Sequence, residues 1–367
     1  WSFIPKDLYP KYIVVNADES EPGTFKDREI MESNPHQFIE GVILCAYSVG
    51  ANTAYIYGRG EFKPVFDNIL QNAVDQAYEK GFLGENILGS DFTIDMHLHL
   101  GAGAYICGEE TALLESLEGN MGQPRSRPPF PAVEGLYAKP TVVNNVETLT
   151  NVPPIILNGS DWYRQYGTEK SPGTKIFSLS GRVNRPGNYE LPLGTTIREL
   201  IEVCGGGIID SKAVKGILPA GASSSIMGPE TLDTPMEYES MAAAGAMLGS
   251  ASFIILDETV DAVWAAEKNI KFFKHESCGK CSPCREGTFW LAGVFRKLRD
   301  GRGTQKDIEM LTTITDQMEG NCFCLLGEFA IPGVRTSLEH FRDEYEALAK
   351  EEDELESSQQ NLVHLYL

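Results

Sequence analysis

The sequence predicts an α/β domain, then a small α+β domain and then a bundle of helices. Short apolar runs alternate with amphipathic segments over residues 11–165, as strands and helices do in an α/β domain. The pattern changes to β-like runs near Pro172, and from about Val260 onward only helical periodicity remains. The domains that we expect are residues 1–170, 171–259 and 260–348, followed by an acidic tail over 349–367.

The first domain carries strand and helix signals in turn. Residues 12–15 and 53–57 are apolar runs that predict strands. Asn34 as N-cap and Pro35 at the first helical position predict a helix between these strands. The other predicted elements are a helix over 64–80, a strand with one polar face over 92–100 and a helix over 112–117.

Shorter elements are expected in the α+β domain, and longer helices follow it. The predicted strands are 175–180, 189–193 and 252–256, with a short helix around 197–204. Of the four helices expected after residue 260, the second places Trp290 beside Leu291 on its apolar face, and the fourth covers about 335–348. A small four-helix bundle can hold a cofactor between its helices.

The chain is strongly acidic, with 52 Asp and Glu residues, 31 Lys and Arg residues and a formal net charge of −21. A field of this sign repels phosphate backbones, so we expect no nucleic-acid partner. No apolar run approaches the ~20 residues needed to cross a bilayer, so we expect no direct membrane span. Eight acidic residues between Asp343 and Glu356 indicate a solvated helix end or a disordered tail.

Five of the eight cysteines lie between positions 278 and 324. Cys278, Cys281 and Cys284 form a C-x2-C-x2-C run, which places three thiolates around one corner of a cubane iron–sulfur cluster. The remote fourth ligand is either Cys322 or Cys324, and the spacing does not choose between them. Structural zinc is the alternative, but zinc sites usually use two separate ligand pairs. The contiguous run therefore favours a [4Fe–4S] cluster, and we expect a single cluster because the sequence contains no second C-x2-C-x2-C run.

Two polar segments of the α/β domain are candidates for binding a nucleotide. Residues 101–111 form a Gly-rich turn between a strand and a helix, where a ligand can approach the backbone and place a phosphate at the helix N-terminus. Residues 16–21 follow a strand, and their carboxylates can accept hydrogen bonds from a ribose. Each segment also has an interpretation without a ligand. Glu109 and Glu110 can interact favourably with the helix dipole, and the Asn- and Asp-rich segment can be a turn.

Five motifs in order resemble one family, the NADH-oxidising flavoprotein subunit of respiratory complex I (the F subunit of NADH:quinone oxidoreductase). The motifs are residues 16–28, 101–112, 128–132, 144–148 and 276–287. Diaphorase subunits of NAD-linked hydrogenases and formate dehydrogenases share them. The resemblance implies a Rossmann-like FMN domain, then a β-grasp domain and then a four-helix bundle that carries a [4Fe–4S] cluster. It also implies direct hydride transfer from NADH to FMN, with no side chain acting as acid or base.

The resemblance assigns roles to individual residues of this sequence. Those implied near FMN are Asn16, Asp18, Glu19, Ser20, Tyr105, Gly108, Glu109, Glu110, Asn144, Asn145 and Thr148. Phe3 and Phe130 are implied against the adenine of NADH, and Glu21 or Glu110 by its ribose and nicotinamide ends. The implied cluster ligands are Cys278, Cys281, Cys284 and Cys324.

The resemblance also implies partners and a location. The expected partners are a [2Fe–2S] thioredoxin-like subunit and a multi-cluster iron–sulfur acceptor subunit of a large membrane-associated complex. The expected location is cytoplasmic, peripheral on the inner face of the plasma membrane, or the matrix side in a mitochondrion. No polar cluster in the β-grasp domain demands a ligand, so we interpret that domain as structural.

Other functions remain open from the sequence. One is a diaphorase subunit of a soluble NAD-linked hydrogenase or formate dehydrogenase. Another is a non-catalytic relay or scaffold that carries only the cluster. In the family, a Gly-rich loop and a lysine that hold FMN and NADH precede the position of Trp1, so we expect a chain without that loop to bind FMN less well. The third open function is that of a structural protein stabilised by a zinc ion.

Overall fold

The computed structural model describes residues 1–350 of the 367-residue chain. The predicted acidic tail lies outside the described residues, apart from Ala349 and Lys350. The chain divides into two compact units, Trp1–Ile176 and a second that begins at Phe177.

The first unit is built on a four-stranded parallel sheet. Its strands are β1 (Tyr12–Ala17), β2 (Thr53–Gly58), β3 (Asp95–Leu100) and β4 (Thr141–Asn145), in the spatial order β3-β2-β1-β4. β1 is central, and its residues Ile13, Val14 and Val15 are fully buried. In a parallel sheet all carboxyl ends lie at one edge, so the residues that follow β1 and β4 meet there. The α/β class that the alternating pattern predicts is confirmed.

Helices cover this sheet. They are α1 (Lys26–Ser33), α2 (Pro35–Val49), α3 (Lys63–Val65), α4 (Gln71–Glu79), α5 (Glu110–Leu117), α6 (Pro131–Glu134), α7 (Val146–Thr150), α8 (Val152–Asn158) and α9 (Ser160–Tyr163). A π-helical segment, Phe66–Leu70, joins α3 to α4 into the one helix predicted over 64–80. Helix α1 is not predicted from the sequence, because its eight residues are mostly charged and polar.

The second unit opens with a mixed sheet. Its strands are β5 (Thr174–Gly181), β6 (Gly187–Pro192), β7 (Val214–Ala222) and β8 (Ser252–Asp257), in the order β6-β5-β8-β7. β5 and β8 pair in parallel and β7 and β8 antiparallel. Its helices are α10 (Ile197–Glu199), continued by a π-helical segment Leu200–Cys204, and α11 (Tyr238–Ala243). Such a mixed sheet with a short helix is the expected β-grasp arrangement.

A helical bundle completes the second unit. Its helices are α12 (Ala262–Glu276), α13 (Ser282–Arg299), α14 (Gln305–Met318), α15 (Leu325–His340) and the short α16 (Arg342–Glu346). Two short parallel strands, β9 (Gly303–Thr304) and β10 (Ala349–Lys350), pair beside it. Across residues 1–350, no helix combines the length and the apolarity that crossing a membrane requires.

Two details of the bundle differ from prediction. The fourth helix begins at Leu325 rather than near Arg335, because Pro332 inside α15 hides the helical signal of its first half. The predicted helix is also interrupted at Phe341, between α15 and α16. Trp290 is 54% exposed although its spacing predicts a place on the apolar face, since Leu291 and Phe295 fill the core beside it.

Candidate functional site

The carboxyl ends of β1 and β4 form the centre of the first site. Asn16 and Asn145 are partners in the parallel register of these strands. The Asn16 side-chain amide donates to the Gly108 carbonyl at 2.8 Å, and its oxygen accepts from the backbone of Asp18 at 3.1 Å. The Ser20 hydroxyl donates to the Asp18 carboxylate at 2.8 Å. The two segments that the sequence indicates separately are therefore joined here.

The Gly-rich turn packs its backbone closely against this edge. A Cβ on Gly101 would lie 2.3 Å from the Tyr57 hydroxyl, so no side chain fits there. Gly103 has φ +80, a conformation that L side chains rarely adopt. The turn continues as a 3₁₀ segment, Tyr105–Gly108, directly before α5. A bare backbone at a helix N-terminus, beside side-chain amides and carboxylates, fits a flavin mononucleotide.

Two carboxylates and an arginine lie at the start of α5. Glu109 caps the helix by accepting from the backbone of Thr111 at 3.0 Å and Ala112 at 2.9 Å, so the helix-dipole interpretation holds for this residue. Arg127 forms ion pairs with Glu109 and, at 3.0 Å, with Glu110. Burial raises the pKa of Glu110, and Arg127 opposes this rise. Arg127 is not among the predicted site residues, and its place directly before the 128–132 motif is the one signal for it in the sequence.

A buried charge network lies against the same edge. The Lys26 ammonium contacts Asp27 at 2.6 Å and Glu147 at 2.9 Å, and all three side chains are almost fully buried. Lys175 reaches the same Glu147 oxygen at 2.8 Å. The Glu19 carboxylate accepts from the backbone of Asp27 at 2.8 Å, at the start of α1. The network ties α1 and α7 to the segment that follows β1, and no spacing in the sequence indicates it.

The charges in this network perturb one another strongly. Burial alone would raise the pKa of Glu147, but Lys26 and Lys175 lower it to about 2. Burial alone would lower the pKa of Lys26, but Asp27 and Glu147 raise it. Burial and the neighbouring Asp27 carboxylate raise the pKa of Glu19 to about 7. The pKa of Glu19 thus lies near neutral pH, and burial lowers the pKa of Lys175 as well.

Asn145 uses all the hydrogen-bonding capacity of its side chain inside the protein. Its oxygen accepts from Lys26 at 3.3 Å and from the backbone of Glu147 at 2.9 Å. Its nitrogen donates to Asp27 at 2.7 Å and to the Asn16 carbonyl at 3.3 Å. A primary amide offers two donors and two acceptor sites, so nothing of this side chain remains for a cofactor. Asn145 therefore positions the strand edge.

The side chain of Asn144 points to the opposite face of β4, as alternation along a strand requires. Its oxygen accepts from the Trp1 indole at 2.7 Å. Tyr105 donates to Glu21 at 2.8 Å. The remaining predicted residues of this site are exposed: Phe3, Phe130 and Thr148. The structure places Phe130 directly before α6 and Thr148 on α7.

The second site is formed by thiols at two helix N-termini. Cys281 is the N-cap of α13, Cys284 lies in the first turn of that helix, and Cys324 is the N-cap of α15. Cys278 lies in the loop between α12 and α13. The backbone N–H of Phe323 donates to the Cys281 sulfur at 3.4 Å, which joins the distant segment to the C-x2-C-x2-C run.

The thiols of both candidates for the fourth ligand lie near Cys284. Burial, then the nearby Cys281, Cys324 and Cys278 thiols, raise the pKa of Cys284 to about 11. Cys322 also interacts with Cys284, Cys281 and Cys324, and its thiol donates to the Met318 carbonyl at 3.4 Å. The helix N-termini favour negative charge, so a thiolate-ligated cluster fits this position. Within residues 1–350, no three His, Cys, Asp or Glu side chains are grouped closely enough to hold a single metal ion.

A parallel-sheet edge suited to a flavin nucleotide and a four-thiol site suited to an iron–sulfur cluster define an electron-transfer flavoprotein. Three family models match the chain: Nuo51 FMN-binding domain over residues 1–154, SLBB domain over 176–220, and NADH-ubiquinone oxidoreductase-F iron-sulfur binding region over 264–348. The chain belongs to the family of F subunits of NADH-quinone oxidoreductases. Its cofactors are FMN and a [4Fe–4S] cluster, and NADH is the substrate of the family.

Curated relatives are similar over almost the whole chain. The NADH-quinone oxidoreductase F subunit of Mycobacterium tuberculosis is 55% identical over 350 residues, which cover 94% of this chain and 78% of the relative. The protein of the same name in Streptomyces coelicolor is 52% identical over 347 residues, 94% of this chain and 77% of the relative. The F 2 subunit of Rhizobium meliloti is 51% identical over 352 residues, 96% and 83% respectively.

A solved structure shares the fold. The NAD+-reducing [NiFe]-hydrogenase in its H2-reduced state superposes with a TM-score of 0.88 at 36% identity. The match covers 96% of this chain but only 59% of that hydrogenase chain. The family and the fold class that the five motifs indicated are confirmed.

Proposed function

We propose that this chain takes electrons from NADH on behalf of an NADH-quinone oxidoreductase, with FMN at the carboxyl edge of the parallel sheet. The observation that carries the proposal is the presence of both sites in one chain that belongs to this family. FMN, when bound, accepts the electron pair of NADH as a hydride and releases the electrons singly to a [4Fe–4S] cluster.

The protein contributes positioning and electrostatics at the first site. Phe3 and Phe130, both exposed, are proposed to hold the adenine of NADH between apolar rings. Glu21 or Glu110 is proposed to accept hydrogen bonds from the ribose and nicotinamide ends. The Tyr105 hydroxyl fixes the orientation of Glu21, so this carboxylate is preorganised before NADH arrives.

The other proposed contacts to FMN come from the joined strand edge and turn. They are Asn16, Asp18, Glu19, Ser20, Gly108, Glu109, Glu110, Asn144 and Thr148, with Asn145 acting from behind the edge. The saturated side chain of Asn145 is the basis for giving it a positioning role. No acid or base is required, because the hydride moves directly.

The proposed cluster ligands are Cys278, Cys281, Cys284 and Cys324. Cys281 and Cys324 begin two different helices, and each helix N-terminus carries partial positive charge toward the sulfurs. The domains are proposed as an FMN- and NADH-binding domain over 1–170, a structural β-grasp domain over 171–259 and the cluster-bearing bundle over 260–348.

Electrons are proposed to leave from the cluster end of the bundle. Phe323 and Leu325 flank Cys324 and are 41% and 61% exposed, and the Lys280 ammonium lies 4.5 Å from the Phe323 ring centre. An apolar surface with a local positive charge, on a chain of net charge −21, suits an acidic partner. The partners proposed are a multi-cluster iron–sulfur acceptor subunit and a [2Fe–2S] thioredoxin-like subunit, in a complex on the inner face of the plasma membrane.

Iron, zinc and flavin analysis of the purified protein tests the proposal, with visible spectra before and after NADH. We expect about four irons and one FMN per chain, and bleaching of the flavin by NADH. Iron without flavin would indicate that the chain is only an electron relay or a scaffold. Zinc without iron would overturn the cluster assignment.

A diaphorase subunit is the second candidate, because the fold matches an NAD+-reducing [NiFe]-hydrogenase with a TM-score of 0.88. Turnover by the complex purified from its source decides between the two. NADH-driven reduction of a quinone analogue, without H2 or formate turnover, is the expected result. Reduction of NAD+ by H2 or formate would establish the diaphorase instead.

A further inference from the structure

We propose that Ser277 raises the reduction potential of the cluster by donating a hydrogen bond to the sulfur of Cys284. The Ser277 hydroxyl oxygen lies 3.2 Å from the Cys284 sulfur. The inference rests on the proposed assignment of Cys284 as a cluster ligand. Nothing in the C-x2-C-x2-C spacing marks Ser277, which precedes the run by one residue.

The direction of this hydrogen bond follows from the ligand role of Cys284. The Ser277 hydroxyl oxygen accepts from the backbone N–H of Gly279 at 3.3 Å, and its proton remains available for a second partner. A sulfur that ligates iron has lost its own proton, so it can only accept.

Ser277 is held in place, and its partner Cys284 is shielded from water. It is the C-cap residue of α12, and its N–H donates to the Phe273 carbonyl at 2.9 Å. Cys284 is only 6% exposed, so little water competes for its sulfur. A hydrogen bond to a ligand sulfur stabilises the more negative, reduced cluster and thereby raises its potential. The backbone N–H of Phe323 acts on Cys281 in the same sense, but only a proline would remove this N–H, and proline would also change the backbone.

The same loop provides a matched control. The Ser282 hydroxyl accepts from the Arg285 guanidinium at 3.3 Å, and among the described residues it makes no hydrogen bond to a cysteine sulfur. Ser277→Thr is the conservative variant, because Thr keeps the hydroxyl and the extended backbone at Ser277 (φ −61, ψ 125) suits a β-branched residue. Ser277→Ala removes the donor alone.

The test is a redox titration of the cluster by low-temperature EPR on the purified full-length protein, with iron content measured for each variant. In Ser277→Ala we expect the ratio of reduced to oxidised cluster at a fixed potential to fall about tenfold. For a one-electron couple, this corresponds to a reduction potential that is lower by about 59 mV. Ser277→Thr and Ser282→Ala are expected to titrate as the unmodified protein does.

Three outcomes would overturn the proposal. The first is an unshifted potential in Ser277→Ala at full iron content, and the second is an equal shift in Ser282→Ala. The third is loss of iron from Ser277→Ala with retention of iron in Ser277→Thr. That third outcome would give the hydroxyl a purely structural role. These outcomes are separate from failure of the proposed function. If the unmodified protein contained no iron or gave no cluster signal, the assignment of Cys284 as a cluster ligand would itself be refuted.

Discussion

The two proposed cofactor sites are built by opposite means. The first, at the carboxyl ends of β1 and β4 with the Gly-rich turn (the flavin edge), collects short segments that are far apart in the sequence. Buried ion pairs among Lys26, Asp27 and Glu147 fix these segments. The cluster site takes three thiols from seven consecutive residues and one from a second helix. The first site therefore depends on the stability of the sheet around it, whereas the second depends on bonds to iron. Substitutions should separate the two dependences.

The largest effect is expected at the cluster. Cys281→Ala removes one of four anchors, so we expect loss of the cluster, a fall of about four irons per chain and a less stable bundle. Low-temperature EPR and iron analysis measure this, and flavin content should be retained if the two sites are independent. Cys45→Ala is the control, because Cys45 is a buried thiol of the first unit. An unchanged EPR spectrum of Cys281→Ala would refute the ligand role.

Lys26→Met should affect the first site alone. It leaves the Asp27 and Glu147 carboxylates buried without their shared ammonium, and breaking a buried pair in this way costs about 3–5 kcal/mol of unfolding free energy. Urea unfolding of the first unit measures the loss, and flavin content should fall while iron content stays. Lys63→Met removes an exposed ion pair with Asp67 and should cost less than about 1 kcal/mol. Equal losses in the two variants would contradict the network's role.

The flavin edge should also respond to pH. The pKa of Glu19 is raised by burial and by Asp27 from 4.5 to about 7, so the folded state favours the protonated carboxyl. Its contribution to stability is complete below about pH 4.5 and is lost as pH rises through about 7. Between about pH 4.5 and pH 7, the unfolding free energy of the unmodified protein should change by about 3 kcal/mol because of Glu19, and Glu19→Gln should lack this change. Parallel curves for the two proteins would show that Glu19 does not titrate there.

The smallest effect concerns nucleotide choice. Glu21→Gln keeps an acceptor for Tyr105 but removes the charge that repels a 2′-phosphate, so the preference for NADH over NADPH should fall about tenfold. The ratio of kcat/KM for the two nucleotides measures it. Glu29→Gln, an exposed carboxylate on α1, should leave the ratio unchanged. A ratio that is unaltered in Glu21→Gln would exclude the ribose role.

The same contrast explains what could be predicted from the sequence. The cluster motif is local, so its spacing alone indicates the metal chemistry. The network at the flavin edge joins residues more than a hundred positions apart, such as Lys26 and Asn145, and no local pattern reports it. The resemblance implies Asn145 near FMN, and no local pattern shows that its side chain is fully occupied by the protein.

The fold is predictable where periodicity is strong. The strands and helices of the first unit follow the expected alternation, but α1 escapes prediction because charged residues such as Lys26 and Asp27 are buried in it. β4 escapes prediction because its last two residues are asparagines, which are uncommon in strands. Pro332 displaces the predicted start of α15, since proline normally ends a helix.

The pairing of β9 with β10 has a practical consequence for attaching the protein to surfaces. Lys350 pairs with Thr304, just beyond the carboxyl end of α13, while Cys281 precedes the other end of that helix. The 18 residues of α13 span roughly 27 Å, so a chemical handle at Lys350 lies about one helix length from the thiols. On an electrode, attachment there would turn the redox-active end of the bundle toward solution, whereas attachment at Lys280 would turn it toward the conductor.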